Sequence, residues 1–196
     1  MTGSVRALSA LVLFALASCV GTFRLVTPYD EVLDYGLSDY RERLNAFARD
    51  VADKAGKPEG TFDANKPRYN ELESKVDGLV ARARLQGGSH ACKLPDGVLQ
   101  QVLAVAGAEL PPEIKRDPPP TEGNAFSCTV RLLELVQAQL GLLVQIHSQT
   151  DKCAGADGAS LSCLRPATAQ TALRISNQSI DAALIVETAK RKGSGD

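Results

Sequence analysis

Residues 27–55 read TPYDEVLDYGLSDYRERLNAFARDVADKA. Tyr29, Leu33, Leu37, Tyr40, Leu44, Phe47 and Val51 recur at steps of three and four, the period that lines side chains along one face of a helix. Thr27 suits the N-cap, Pro28 the first helical position and Asp30 the third, a variant capping box. Gly56 stops the pattern, and Pro58 and Gly60 complete a turn. A helix over about residues 28–55 follows. One apolar stripe of this length must bury itself against other elements, so its partners decide the fold.

Downstream segments repeat the same period. Tyr69, Leu72, Val76, Leu79, Val80 and Ala83 predict a second helix, regular from Pro67, with residues 62–66 as an optional first turn and Gly87-Gly88 as its stop. Gly78 inside it costs about 1 kcal/mol against Ala and is a candidate for close helix packing. Residues 94–110 predict a shorter third helix, with Asp96 as N-cap and Val98, Leu99, Val102, Leu103 and Val105 as its apolar face. Residues 111–124 hold five prolines and form the longest loop. A fourth helix is expected over about 125–152, where Phe126, Val130, Leu133, Val136, Leu140, Leu143, Val144 and Ile146 make it the most apolar element and the centre of the core. A loop rich in Gly, Ala and Ser follows. The fifth helix runs from near Pro166 to about residue 192, with Leu173, Ile180, Leu184 and Val186 facing in.

Upstream, Arg6 precedes an apolar run over residues 7–17 that only Ser9 interrupts. It is shorter than the roughly 20 residues a spanning helix needs and reads as the core of a signal peptide. The run ends Leu16-Ala17-Ser18-Cys19, which resembles the bacterial lipobox. That resemblance implies cleavage before Cys19 and acylation of its thiol and new amino group, and Val20 in place of Asp implies the outer membrane. The chain then divides into a signal peptide (1–18, removed), a lipidated tether (19–26), a helical bundle domain (27–192) and a flexible tail (193–196).

With Cys19 acylated, Cys92, Cys128, Cys153 and Cys163 remain, an even number in an oxidising compartment. Their spacing does not suit zinc, which favours closely spaced cysteine pairs. Two disulfides are expected. Four long helices in series predict an all-α, antiparallel up-down four-helix bundle, with the short third helix as an elaboration of one crossover. In that topology Cys92 and Cys128 lie at the tether end and Cys153 and Cys163 at the other. The helix from Cys128 to Cys153 spans about 38 Å, far beyond the roughly 7 Å that a disulfide tolerates between Cα atoms. The pairs expected are Cys92–Cys128 and Cys153–Cys163.

Composition narrows the chemistry. The net charge of −1 gives no basic surface for nucleic acid. The only Met is the initiator, no Cys-x-x-Cys-His occurs, and no Glu-x-x-His pair is available for a di-iron site, so no cofactor or metal is expected. Gly-x-Ser-x-Gly, His-Glu-x-x-His and P-loop sequences are absent. Asp30 and Asp34 share one face of the first helix beside Tyr29, where a carboxylate pair can hold a cation or transfer a proton. Acids in a first helical turn are equally expected from the macrodipole. His147, late in the fourth helix with Asp151 four residues on, reads as a C-terminal histidine favoured by the same dipole. His90 lies in a Gly-Gly-Ser loop. Lys190-Arg191-Lys192 ends the fifth helix as dipole cations and offers a secondary contact to anionic head groups. The proline-rich loop reads as a solvated crossover in preference to a docking segment.

Tyr29-Asp30 with Asp34, Arg68-Tyr69-Asn70-Glu71-Leu72, Val80-Ala81-Arg82-Ala83, the late Leu-rich helix with His147 and the final Glu187-x-x-Lys190-Arg191 together resemble an uncharacterised family of small bacterial helical lipoproteins. Members carry Tyr-Asp-x-x-x-Asp after the lipobox. This chain departs from them with Arg68 where Phe is usual and with its additional third helix. The resemblance implies a location and a helical fold and no activity. The expectation is therefore a non-enzymatic protein attached to the membrane through its N-terminal lipid, facing the periplasm and binding or supporting an unidentified envelope protein. Two alternatives are a pilotin-like chaperone for an outer-membrane secretion component, and a periplasmic small-ligand binder or sensor.

Overall fold

In the computed structural model, which describes residues 29–86 and 127–193, the chain is helical apart from one small two-stranded ribbon. Helix α1 spans Glu31–Asp53. Its cap is Asp30, not Thr27: Asp30 is extended (φ −121°) and its carboxylate accepts from the Val32 amide at 2.9 Å. Asp is among the best N-cap residues, so the helix begins three residues later than Pro28 would start it. The expected stripe holds from Leu33 to Val51, every member buried. Tyr29 precedes the helix and is only half-buried.

Helix α2 spans Phe62–Gln86 and starts five residues before Pro67. Asn65 explains the early start. Its buried side-chain amide donates to the Glu59 carbonyl at 2.8 Å and the Thr61 carbonyl at 2.9 Å, tying the first turn to the 3-10 turn Pro58–Gly60. Gly60 is indispensable there, because a Cβ would collide with the Lys54 carbonyl oxygen. Close helix packing falls at Gly36 of α1, where a Cβ would lie 2.5 Å from Leu79. Gly78, expected to serve that purpose, has open space where a methyl group would sit, with nothing within 4 Å.

Helix α3 spans Cys128–Gln145, capped by the Ser127 hydroxyl, which accepts from the Val130 amide at 3.4 Å. It does not stay regular to residue 152. Ile146–Thr150 widens into one π turn. By length and composition, Cys128–Thr150 is apolar enough to cross a membrane; here it packs against α2 and α4. The expected loop that follows is partly ordered as strands β1 (Lys152–Ala154) and β2 (Ser160–Ser162), antiparallel with Cys153 opposite Leu161. Gly158 at φ 78° makes the turn. The Cys153–Cys163 disulfide closes the ribbon with Cα atoms 5.8 Å apart, as expected. Cys128 is also disulfide-bonded, and its expected partner Cys92 lies outside the described residues. So do Cys19, His90, the short third helix, the proline-rich loop and the whole leader.

Helix α4 spans Pro166–Gly193. α1 packs on α2 and α4, and α3 packs on the same two, so the four described helices surround one core. Cross-helix pairs fix the register. Asp50 meets Arg68 and Asp30 meets Arg82 between α1 and α2. Tyr69 meets His147 and Arg84 meets Glu134 between α2 and α3. Gln139 meets Ser179 and Thr129 meets Glu187 between α3 and α4. Arg41 meets Asp181, and Asn45 exchanges side-chain hydrogen bonds with Asn177, between α4 and α1.

Candidate functional site

The start of α1 and the last turns of α2 and α4 meet the start of α3 in one polar network. Arg82 donates to Asp30 through Nε at 2.5 Å and through a terminal nitrogen at 3.0 Å. The Asp30 amide donates to Glu187 Oε2 at 3.4 Å. Glu187 Oε1 accepts from the Thr129 hydroxyl at 2.5 Å and from Lys190 Nζ at 2.6 Å, and Lys190 also donates to the Thr129 hydroxyl oxygen at 2.9 Å. Glu187 is fully buried, and Lys190 nearly so. Charges removed from water this far need partners on every side, and here four helices supply them. Burial acts to raise the Asp30 carboxyl, but the Arg82 guanidinium and the Val32 and Leu33 amides together hold it below the usual carboxylate range.

This geometry separates the two carboxylates that share a face in sequence. Asp30 turns to Arg82, while Asp34 accepts from the Tyr29 hydroxyl at 2.8 Å. Among the described residues, no three His, Cys, Asp or Glu side chains converge as a metal centre would require. Lys190, read in sequence as a dipole cation at the helix end, has a side chain buried as a partner of Glu187. The signal for that pair was present, since Glu187 and Lys190 stand three apart on one helix face. Nothing local marked Thr129 or Arg82 as the other members.

A second cluster closes the opposite end. His147 is fully buried in the π turn. Its Nε2 faces the Gly60 carbonyl at 3.0 Å, and its Nδ1 faces the Tyr69 hydroxyl at 2.9 Å. A carbonyl only accepts, so Nε2 carries the proton and Nδ1 accepts from Tyr69 in the neutral ring. Phe62 and Tyr69 stand edge-on to the imidazole, with Phe47 edge-on to Tyr69. Burial pushes the His147 pKa down, against smaller opposing effects of the Gly60 carbonyl and Asp151. A neutral core histidine replaces the charged C-terminal one expected. Both ring nitrogens are engaged, so the ring is a strut between α2, α3 and the Gly60 turn.

Between α1 and α2 lies an open groove of about 710 Å³. Phe47, Ala46 and Leu72 lie along it with Arg43, Arg68 and Lys75. The cations are paired: Arg43 and Lys75 with Asp39, and Arg68 with Asp50 at 2.6 Å while lying 4.7 Å above the Phe47 ring. Arg68 thus covers an aromatic ring. Compared with known protein families, curated proteins and solved structures, the chain matches none of them.

Proposed function

We propose that the protein is a lipid-anchored, periplasm-facing, antiparallel up-down four-helix bundle that binds or scaffolds another component of the bacterial envelope without catalysing a reaction. The observation that carries this reading is where its polar side chains are engaged. Asp30, Glu187, Lys190 and Thr129 join helix ends, and His147 has both nitrogens bonded inside the core. Groups held this way stiffen a scaffold. Up-down connectivity is supported by cross-helix pairs whose numbers fall along one helix as they rise along the next, from Asp50–Arg68 to Asp30–Arg82. A second disulfide, Cys92–Cys128, would clip the end opposite Cys153–Cys163. Anchoring rests on the Leu-Ala-Ser-Cys19 sequence, since more than one acyl chain holds a protein stably on a bilayer.

A second reading, the pilotin-like chaperone, is favoured by the groove between α1 and α2, whose charged rim and exposed Ala46 suit a short amphipathic segment. Crosslinking and pull-down from intact envelopes, with wild type beside Cys19→Ala, tests both. A partner captured only by the lipidated form supports the scaffold, and one lost on Ala46→Asp, an exposed groove position, with the thermal midpoint unchanged supports the groove. A Cys19→Ala protein that stays membrane-bound and acylated refutes the anchor.

A further inference from the structure

The exposed large apolar side chains among the described residues are Val32, Tyr35, Leu85 and Ile185. Scattered single residues of this kind are ordinary on a protein surface. These are not scattered. Val32 lies two residues and Tyr35 five residues after Asp30, Leu85 three after Arg82, and Ile185 two before Glu187. Asp30, Arg82 and Glu187 belong to the one network that gathers these helix ends. All four apolar side chains therefore stand around the same end of the helices. The end built from Gly60, His147 and the disulfide-closed ribbon carries none of them.

Tyr29 stands at this same end, ten residues after Cys19 in the sequence, so an extended tether reaches at most about 35 Å. We infer that this end of the helices rests on the bilayer, with Val32, Tyr35, Leu85 and Ile185 entering the zone between head groups and acyl chains. The inference rests on the lipid-anchor reading for its orientation. Tyr suits that zone because its ring is apolar and its hydroxyl is wet, and the three aliphatic side chains add apolar area behind it. Charge contributes little. Glu31 and Asp34 of the first turn of α1 share this end with Arg82, which pairs with Asp30, and with Arg191, which covers the Tyr29 ring at 5.7 Å. The contact is accordingly apolar and only weakly dependent on salt. It orients the scaffold, placing the Cys153–Cys163 ribbon farthest from the membrane.

The chain has no tryptophan, so one substitution makes a unique fluorescent reporter. Tyr35→Trp and, at the exposed far turn, Ala156→Trp are each introduced into the acylated chain. The proteins are reconstituted in phosphatidylethanolamine–phosphatidylglycerol vesicles with brominated acyl chains. The expected result is blue-shifted emission and strong bromine quenching at position 35, with neither at position 156, unchanged by high salt. Adding Val32→Ser, Leu85→Ser and Ile185→Ser should cut quenching at position 35 several-fold while leaving the fold intact by circular dichroism. No quenching at position 35 overturns the inference. So does a position 35 shielded from aqueous iodide before vesicles are added, because the chain itself or a second copy then covers the patch. If mass spectrometry finds Cys19 unmodified, the anchor reading falls by itself. The contact is then judged on the unacylated chain added to the same vesicles, where quenching at position 35 sustains it and none overturns it.

Discussion

Tyr69 and His147 meet through the phenol hydroxyl and Nδ1 at 2.9 Å, inside the core, while the far side of the imidazole holds the Gly60 carbonyl at 3.0 Å. One ring thereby locks the first half of α2, the π turn after α3 and the turn that follows α1. Protonating His147 would give Nδ1 a hydrogen and take the acceptor away from Tyr69, so the fold favours the neutral ring.

The folded pKa of His147 is lowered from its ordinary value of about 6.5, chiefly by burial. The unfolded chain therefore takes up this proton first as the pH falls. Stability from this group is complete above about pH 6.5 and declines as the pH drops toward the folded value. Urea unfolding at about pH 7.5 and about pH 5.5, above the range where Asp30 titrates, should show the loss. His147→Leu should flatten that dependence and lower stability by roughly 1–3 kcal/mol for each partner left unpaired, and Tyr69→Phe in the same chain should restore part of it. A slope unchanged in His147→Leu would locate the titration elsewhere.

Glu187 and Lys190 form a buried pair at 2.6 Å, shared with Thr129. Removing one charge strands the other. Glu187→Ala should cost about 3–5 kcal/mol, and Glu187→Ala with Lys190→Met should recover most of it. Equal denaturation midpoints for Glu187→Ala and wild type would show that the pair contributes nothing.

The glycines should respond in opposite directions. Gly78→Ala meets nothing within 4 Å and should stabilise α2 by about 0.5–1 kcal/mol. Gly36→Ala drives a methyl against Leu79 and should destabilise, and Gly60→Ala, pressed into the Lys54 carbonyl, should be the worst of the three. Thermal midpoints rank them directly, and any other order contradicts the packing of α1 on α2.

Tyr40 is fully buried, and its hydroxyl has no hydrogen-bond partner among the described residues. Burial, helped by the charge of Asp77, pushes its pKa upward. Tyr40→Phe removes the orphaned hydroxyl and keeps the ring, so stability should stay within about 1 kcal/mol of wild type, on the stabilising side. A larger loss would reveal an ordered water on that hydroxyl.

Helix existence was legible because burial repeats with the helical period. Leu33 to Val51, Tyr69 to Ala83 and Val130 to Leu143 are the residues that the stripes picked out, and they are the buried ones. The Cys153–Cys163 pair was legible as well, because helix length rules out long-range competitors. Helix ends were less so. Thr27 and Asp30 both qualify as caps, and the choice of Asp30 is coupled to Arg82, fifty-two residues away. Asn65 starts α2 early by bonding carbonyls of a turn whose shape depends on Gly60.

Sequence alone determined the helical class, the buried faces and one disulfide, because each depends on spacing along a single element. Tertiary structure alone decided that Glu187 and Lys190 are buried with Thr129, that His147 is a neutral strut, and that Gly36 is the close-packing glycine while Gly78 is not. Each of these depends on groups from different helices, whose approach follows from how the stripes pack and has no period in the chain to announce it.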